Sequence, residues 1–237
     1  MSNGKKTRLG VILSAGGSAF AEAARIASTL RLDFCVVTDR ECGAEARCRE
    51  LAIPVTRIGE PDRARFSCAA SDHFAQFGAE AVLLHFSRLI GPELFRSIPC
   101  CNVHPALLPA FPGMGAVKRA WSSGAGVLGA TLHFVDETVD GGPIIAQTAD
   151  PIPAGADLAW CERLSFVQKT YLTLVLFELL SGGGLRASAT GASSALVGFP
   201  NAACANPTLT SDVLVKGFES LRLSTVNDEA ARAGGLS

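Results

Sequence analysis

Short apolar runs alternate with longer helix-patterned ones along most of the chain, and this alternation limits the fold more than any other feature. "LGVILS" (9–14), "FCVVTD" (34–39), "AVLLHF" (81–86) and "CCNV" (100–103) read as buried strands. "SAFAEAARIASTL" (18–30), "AEARCRELA" (44–52) and "SDHFAQFGA" (71–79, with Ser71 or Asp72 as N-cap) read as the helices between them. Two later strands, "VLGATLHFVD" and "GPIIAQTADP", are joined by "ETVDGG". A long helix is predicted over 157–180, with Trp160, Leu164, Val167, Tyr171 and Leu174 on one face. Strands separated by helices imply an α/β fold, a Rossmann-like, mostly parallel twisted sheet with helices on both faces. Past "SGGGL" (181–185) the sequence becomes small and weakly patterned. Residues 1–185 are therefore expected to form one domain. Residues 186–237 are expected to be a short, partly flexible C-terminal appendage containing one hairpin, "ALVGFP" with "DVLVKGF".

Composition excludes several classes of partner. The net charge is −1 and no basic stripe is present, which argues against nucleic acid. The apolar run after Lys5, Lys6 and Arg8 is too short for a signal peptide, and "TYLTLVLFELL", interrupted by Glu178, is too short to span a bilayer. A cytoplasmic protein with no membrane contact is expected. Eight cysteines occur, but none forms a C-x-x-C pair, so neither a metal site nor a disulfide framework is expected.

In sheets of this kind ligands gather beyond the carboxyl ends of the strands. That rule marks Ser14–Ser18, Asp39, His85–Ile90 and Asn102–Gly115. "SAGGSAF" is either a plain strand-to-helix turn or an anion-binding one, and it matches no nucleotide fingerprint. Asn102 and His104 stand two residues apart and so share one face of a strand. Together they offer an amide donor and a group able to move a proton near neutral pH. Asp140, ahead of Gly141 and Gly142, supplies a carboxylate able to orient His104. His133 alternates with Leu132 and Phe134 and is read as a core or supporting residue. His73 is read as a helix-surface residue, and His85 stands at a strand end near the cleft.

"NVHPALLPAFPG", followed after a short helix by "GATLHFVDETVDGGPIIAQ", resembles the formyltransferases that use 10-formyltetrahydrofolate. The likeness runs from about Leu9 to Leu185 and is strongest to the branch that formylates glycinamide ribonucleotide in purine synthesis. It implies Asn102, His104 and Asp140 as the catalytic group. Asn102 and protonated His104 would stabilise an oxyanion, while Asp140 holds His104 and helps relay a proton through water. It implies the formyl donor as cosubstrate, without a metal. The donor's ring would be read by Ser87, Arg88, Leu89 and Ile90 and wrapped by the loop of Val135, Asp136, Glu137, Val139, Gly141 and Gly142. A cis peptide is implied at Leu108–Pro109. The acceptor amine would meet Gly16, Gly17, Ser18, Pro105, Gly115 and Lys169, and a homodimer is compatible with the likeness.

The departures fall on the acceptor side. Ala15 and Ala19 replace a Gly and an Asn of the first turn, "GMGAV" replaces a histidine-containing segment, Lys169 matches a Glu, and His85 a Gly. An N-formyltransferase acting on glycinamide ribonucleotide or another primary amine is therefore expected. A formyltetrahydrofolate hydrolase is the enzyme alternative, although that branch carries an N-terminal regulatory domain and this sequence opens on its first strand. A non-catalytic folate-binding protein would have no need of the proton-handling pair.

Overall fold

The sheet is built by strands whose alternate residues go to opposite faces. In the computed structural model, which describes residues 6–182, 205–206 and 209–226, the strands are β1 (Thr7–Leu13), β2 (Leu32–Thr38), β3 (Val55–Arg57), β4 (Ala81–His85), β5 (Cys100–His104), β6 (Val127–Phe134), β7 (Ile144–Pro151) and β8 (Ala205–Asn206). Leu9, Val11, Leu13, Val36, Leu83, Cys101 and Val103 face one layer of the core, and Ile12, Cys35, Val37, Val82, Leu84 and Cys100 the other. The first layer is covered by α1 (Ser18–Ile26), α2 (Gly43–Glu50), α6 (Leu158–Ser181) and α7 (Asp212–Val226), and the second by α3 (Arg63–Phe77) and α4 (Pro92–Phe95). A seventh short helix, α5 (Ala116–Ser122), follows the proline-rich loop.

The sheet order is β3-β2-β1-β4-β5-β6-β7-β8. β1 to β5 run parallel, and β6, β7 and β8 are added antiparallel. The chain winds outward from β1 to β3 and then crosses back to place β4 on the other side of β1. That reversal opens a crevice between the carboxyl ends of β1 and β4. Ser14 and Ser87 close its floor, their hydroxyls 2.9 Å apart, with the Ser87 amide donating to Ser14 Oγ at 2.8 Å. Gly10 lets α3 approach the sheet, since a Cβ there would stand 2.7 Å from the Phe74 ring.

The long helix forms as expected, with Asp157 as N-cap accepting from the Trp160 amide at 2.7 Å. Its 24 residues are long and apolar enough to cross a membrane, unlike the shorter apolar run within it, yet 72% of the relevant window is buried inside the protein. Three sequence expectations are corrected. The third helix begins at Arg63 rather than near Ser71, because Asp62 caps it by accepting from the Arg65 amide at 2.8 Å. "DVLVKGF" is the start of α7 rather than a hairpin strand, with Leu214 fully buried and Phe218 against Tyr171 at 4.9 Å between ring centres. "ALVGFP" and the 185/186 boundary lie outside the described residues. His73, expected at the surface, is half-buried with Nε2 3.2 Å from Cys35 Sγ.

Glu45 ties α2 to β2 and β3. It accepts from Arg57 Nε and Nη2 at 2.8 and 2.7 Å and from the Thr38 hydroxyl at 2.9 Å. The Arg57 fork above all, then Thr38, holds its carboxyl down to about 2 against the opposing effect of burial. A depressed carboxyl stabilises the fold above its unfolded value and loses that contribution as pH falls through the folded one. Glu45→Gln should therefore be less stable than the parent at neutral pH in denaturant unfolding. The gap should shrink between the ordinary 4.5 and about 2; a gap constant over that range would contradict this account.

Candidate active site

Strand β5 ends at the crevice, and its period-two geometry turns Asn102 and His104 to one face while Cys101 and Val103 enter the core. The β5–β6 register sets His133 directly opposite Asn102 and Thr131 opposite His104. Asn102 Nδ2 lies 3.2 Å from His133 Nε2, and His133 Nδ1 donates to its neighbour Phe134's carbonyl at 2.8 Å. His133 Nε2 is thereby turned toward both the Asn102 amide and the Asp140 carboxylate. The second Asn102 amide hydrogen points at Asp140 Oδ1 only weakly, at 3.5 Å, and so stays available to a stronger acceptor.

Asp140 gathers the site. Its Oδ2 is 3.2 Å from His104 Nδ1 and accepts from the Gly113 amide at 2.7 Å; its Oδ1 is 3.6 Å from His133 Nε2. His133 first, then the Gly113 amide and His104, hold the carboxylate below the ordinary aspartate range although burial opposes them. Asp140 itself has φ 53°, a left-handed conformation costly for a non-glycine residue. Gly142 makes the turn feasible, because a Cβ there would fall 1.9 Å from the Phe134 carbonyl oxygen.

The proline-rich exit from β5 is anchored along its length. The Thr131 hydroxyl donates to Ala106 O at 2.7 Å and accepts from the Leu108 amide at 3.0 Å, while Gln147 donates to Leu108 O at 3.0 Å. The Leu108–Pro109 bond is cis, as the resemblance implied. Residues 111–113 then form a strap over the histidine. His104 Nε2 donates to the Phe111 carbonyl at 2.9 Å, and Arg119 Nη2 binds the carbonyls of Phe111 at 3.0 Å, Pro112, and Gly113 at 3.3 Å. Both His104 nitrogens thus face acceptors, an arrangement suited to a ring carrying both protons.

A cavity of about 910 Å³ runs along this edge of the sheet. Asn102, His104 and Asp140 line it, together with Ser87, Arg88, Leu89, Ile90, Val135, Asp136, Glu137 and Val139 toward one end. Gly16, Gly17, Ser18, Pro105, Gly115 and Lys169 line it as well. Gly141 and Gly142 are not among its lining residues and shape the loop behind Asp140. Asp39 is also absent from the walls, being paired with Arg40 at 2.6 Å and Arg88 at 3.5 Å. Arg88 reaches the wall, but its guanidinium is held by Glu60 O and Pro61 O at 3.0 and 2.6 Å, over the Phe66 ring. The walls add residues the sequence reading did not single out, among them Arg63, Phe95, Met114 and Thr138. Arg63 was hidden by the misplaced start of α3.

On the other side, His85 Nε2 is 3.1 Å from the Thr173 hydroxyl, which itself donates to Lys169 O at 2.8 Å. His85 is therefore the donor, and burial, with the nearby Lys169 charge, pushes its pKa down to about 3. It is a fixed neutral donor and not a proton carrier. Burial likewise lowers the Lys169 ammonium.

The crevice at the sheet reversal thus gathers an Asn–His pair and a carboxylate held in a glycine-bounded loop. A sequence profile described as formyl transferase matches residues 7–174, and the chain belongs to that family. The relatives narrow the branch within it. Phosphoribosylglycinamide formyltransferase of Mycobacterium tuberculosis is 34% identical over 155 residues, covering 62% of this chain and 72% of that one. The structure of glycinamide ribonucleotide transformylase 1 from Symbiobacterium toebii aligns with a TM-score of 0.71 at 28% identity, over 76% of this chain and 90% of that one. The corresponding Geobacillus kaustophilus structure gives 0.68 at 32%, over 74% and 99%. The chain is a formyltransferase enzyme, and the family uses 10-formyltetrahydrofolate as cosubstrate.

Charged hydrogen bonds contribute about 1.5–3 kcal/mol, so the Arg119 contacts should dominate the strap's rigidity. Arg119→Ala is expected to raise amide hydrogen exchange across 111–115 by about tenfold or more, with β5 unaffected. Unchanged exchange there would show that Asp140 and His104 hold the strap without Arg119.

Proposed function

We propose that the chain transfers the formyl group of 10-formyltetrahydrofolate to a primary amine, either glycinamide ribonucleotide or another amine admitted by its altered acceptor-side residues, by direct attack within the cavity at the end of β5. The observation that carries this reading is the assembly of Asn102, His104 and Asp140 at that strand end, with Asp140 3.2 Å from the imidazole. The donor fits the cavity end formed by the 87–90 backbone and the 135–140 loop. Exposed Leu89 and Val139 offer apolar cover there, and Ile90 forms part of the buried floor. When bound, the donor supplies an activated formyl carbon.

The chain's own residues perform the rest. Asn102 turns its weakly used amide hydrogen to the oxygen that gains negative charge. The strap withdraws the Phe111 carbonyl, which frees the His104 N–H for the same oxygen. Asp140 keeps His104 oriented, remains ionised and balances the charge of the imidazolium, and steers a proton through water from the amine toward the leaving nitrogen. The altered acceptor-side residues are Ala15 and Ala19 in the first turn, the histidine-free "GMGAV" segment and Lys169 on α6.

The test is stoichiometry. Incubation with the donor and an amine panel should yield one formylated amine per tetrahydrofolate released, with little release when amine is omitted. Release that is independent of amine would establish hydrolysis, and folate binding without turnover would establish a binder. Loss of one oxyanion donor costs about 10²–10³ in kcat, so Asn102→Ala should fall by that factor with a much smaller change in KM.

A further inference from the structure

Beside the main cavity lies a smaller chamber of about 350 Å³, lined by Pro105, Gly115, Ala116, Val117, Lys118, Glu162, Ser165 and Lys169. Pro105, Gly115 and Lys169 line both spaces, so the chamber opens from the acceptor side of the catalytic group. Two of its groups lack partners among the described residues. Lys169 makes no side-chain hydrogen bond or ion pair there, and burial weakens its hold on its proton. Ser165, 2% exposed and one turn earlier on α6, leaves its hydroxyl without a partner. A buried hydroxyl without a partner is costly, and a ligand anion in the chamber would pair with the half-buried Lys169 ammonium as well.

Lys118 and Lys169 outnumber Glu162 on the chamber's walls, which leaves a net charge of +1 across it. The other cations of the main cavity are placed differently. Arg88 is occupied by backbone carbonyls and Asp39, and Arg63 starts α3, on the opposite layer from α6. We infer that the chamber holds an anionic group, a carboxylate or a phosphate, carried by the acceptor amine, with Lys169 and Ser165 as its principal contacts. Gly115, where a Cβ would meet nothing within 4 Å, leaves the passage between the two spaces open. This inference rests on the formyl-transfer reading and narrows its substrate to amines bearing an anion.

The test uses matched pairs: ω-amino acids of two to five carbons against their amides, with aminoalkyl phosphates as a third arm. For the best spacer, the anionic amine should exceed its neutral partner at least tenfold in kcat/KM, and the preferred arm distinguishes carboxylate from phosphate. Lys169→Met should collapse that ratio toward one, Lys169→Arg should retain most of it, and Ser165→Ala should reduce it partly. The ratio is internal to each variant, so impaired folding cannot imitate the effect. A ratio near one in the parent enzyme, or a ratio unchanged by Lys169→Met, would overturn the inference. If no amine is formylated, the transfer reading fails separately. Calorimetric binding of the same acid and amide pairs to parent and Lys169→Met protein then decides on the anion site without turnover.

Discussion

The Asp140 carboxylate is the contact on which the rest of the site depends. It is mostly buried, yet it collects the Gly113 amide, the His104 ring and the His133 ring around two oxygens. A buried carboxylate left without donors would take up a proton; here the donors keep it charged. The same contacts couple three otherwise separate pieces of chain: the end of β5, the middle of β6 and the strap at 111–113. The left-handed conformation at Asp140 is sustained by that convergence and by the close turn at Gly142.

The sheet supplies what this contact requires. Reversal of strand order opens a crevice between β1 and β4, and β5 lies next to it, so Asn102 and His104 arrive at its edge. The antiparallel β6 brings His133 across from Asn102, which a further parallel strand with a crossover helix would not have done as compactly. Under the proposed transfer, α6 with Lys169 and Ser165 serves the acceptor side, while the 87–90 segment and the 135–140 loop serve the donor side, so one can change while the other is kept.

Much of this was legible in the chain. The short apolar runs at 9–14, 81–86 and 100–103 revealed their strands, and the helical spacing from Trp160 to Leu174 marked α6. The spacing of Asn102 and His104 placed both on one face. What escaped depended on tertiary contact. Arg63 was missed because "PDRARFSC" looks like charged loop, although Phe66, Ala70 and Phe74, four residues apart, carry the helical signal. "DVLVKGF" has strand-like composition, and packing of Leu214 and Phe218 on α1 and α6 overrides it. His133 was read as supportive, but its position opposite Asn102 comes from strand register, which no local pattern encodes. The close approach that glycine permits at 141 and 142 is made by the chain itself, by the Thr138 side chain at Gly141 and by the Phe134 carbonyl at Gly142, which no local pattern encodes.

If Asp140 acts through His104, the two residues contribute to transfer as one unit, and removing either should remove most of what the pair supplies. The decisive measurement is a double-mutant cycle on the single-turnover rate of formyl transfer, with His104→Ala, Asp140→Ala and the combined variant. The account predicts that the double variant is little slower than the slower single variant. Losses that multiply independently would show that the two side chains act separately, and would contradict the account.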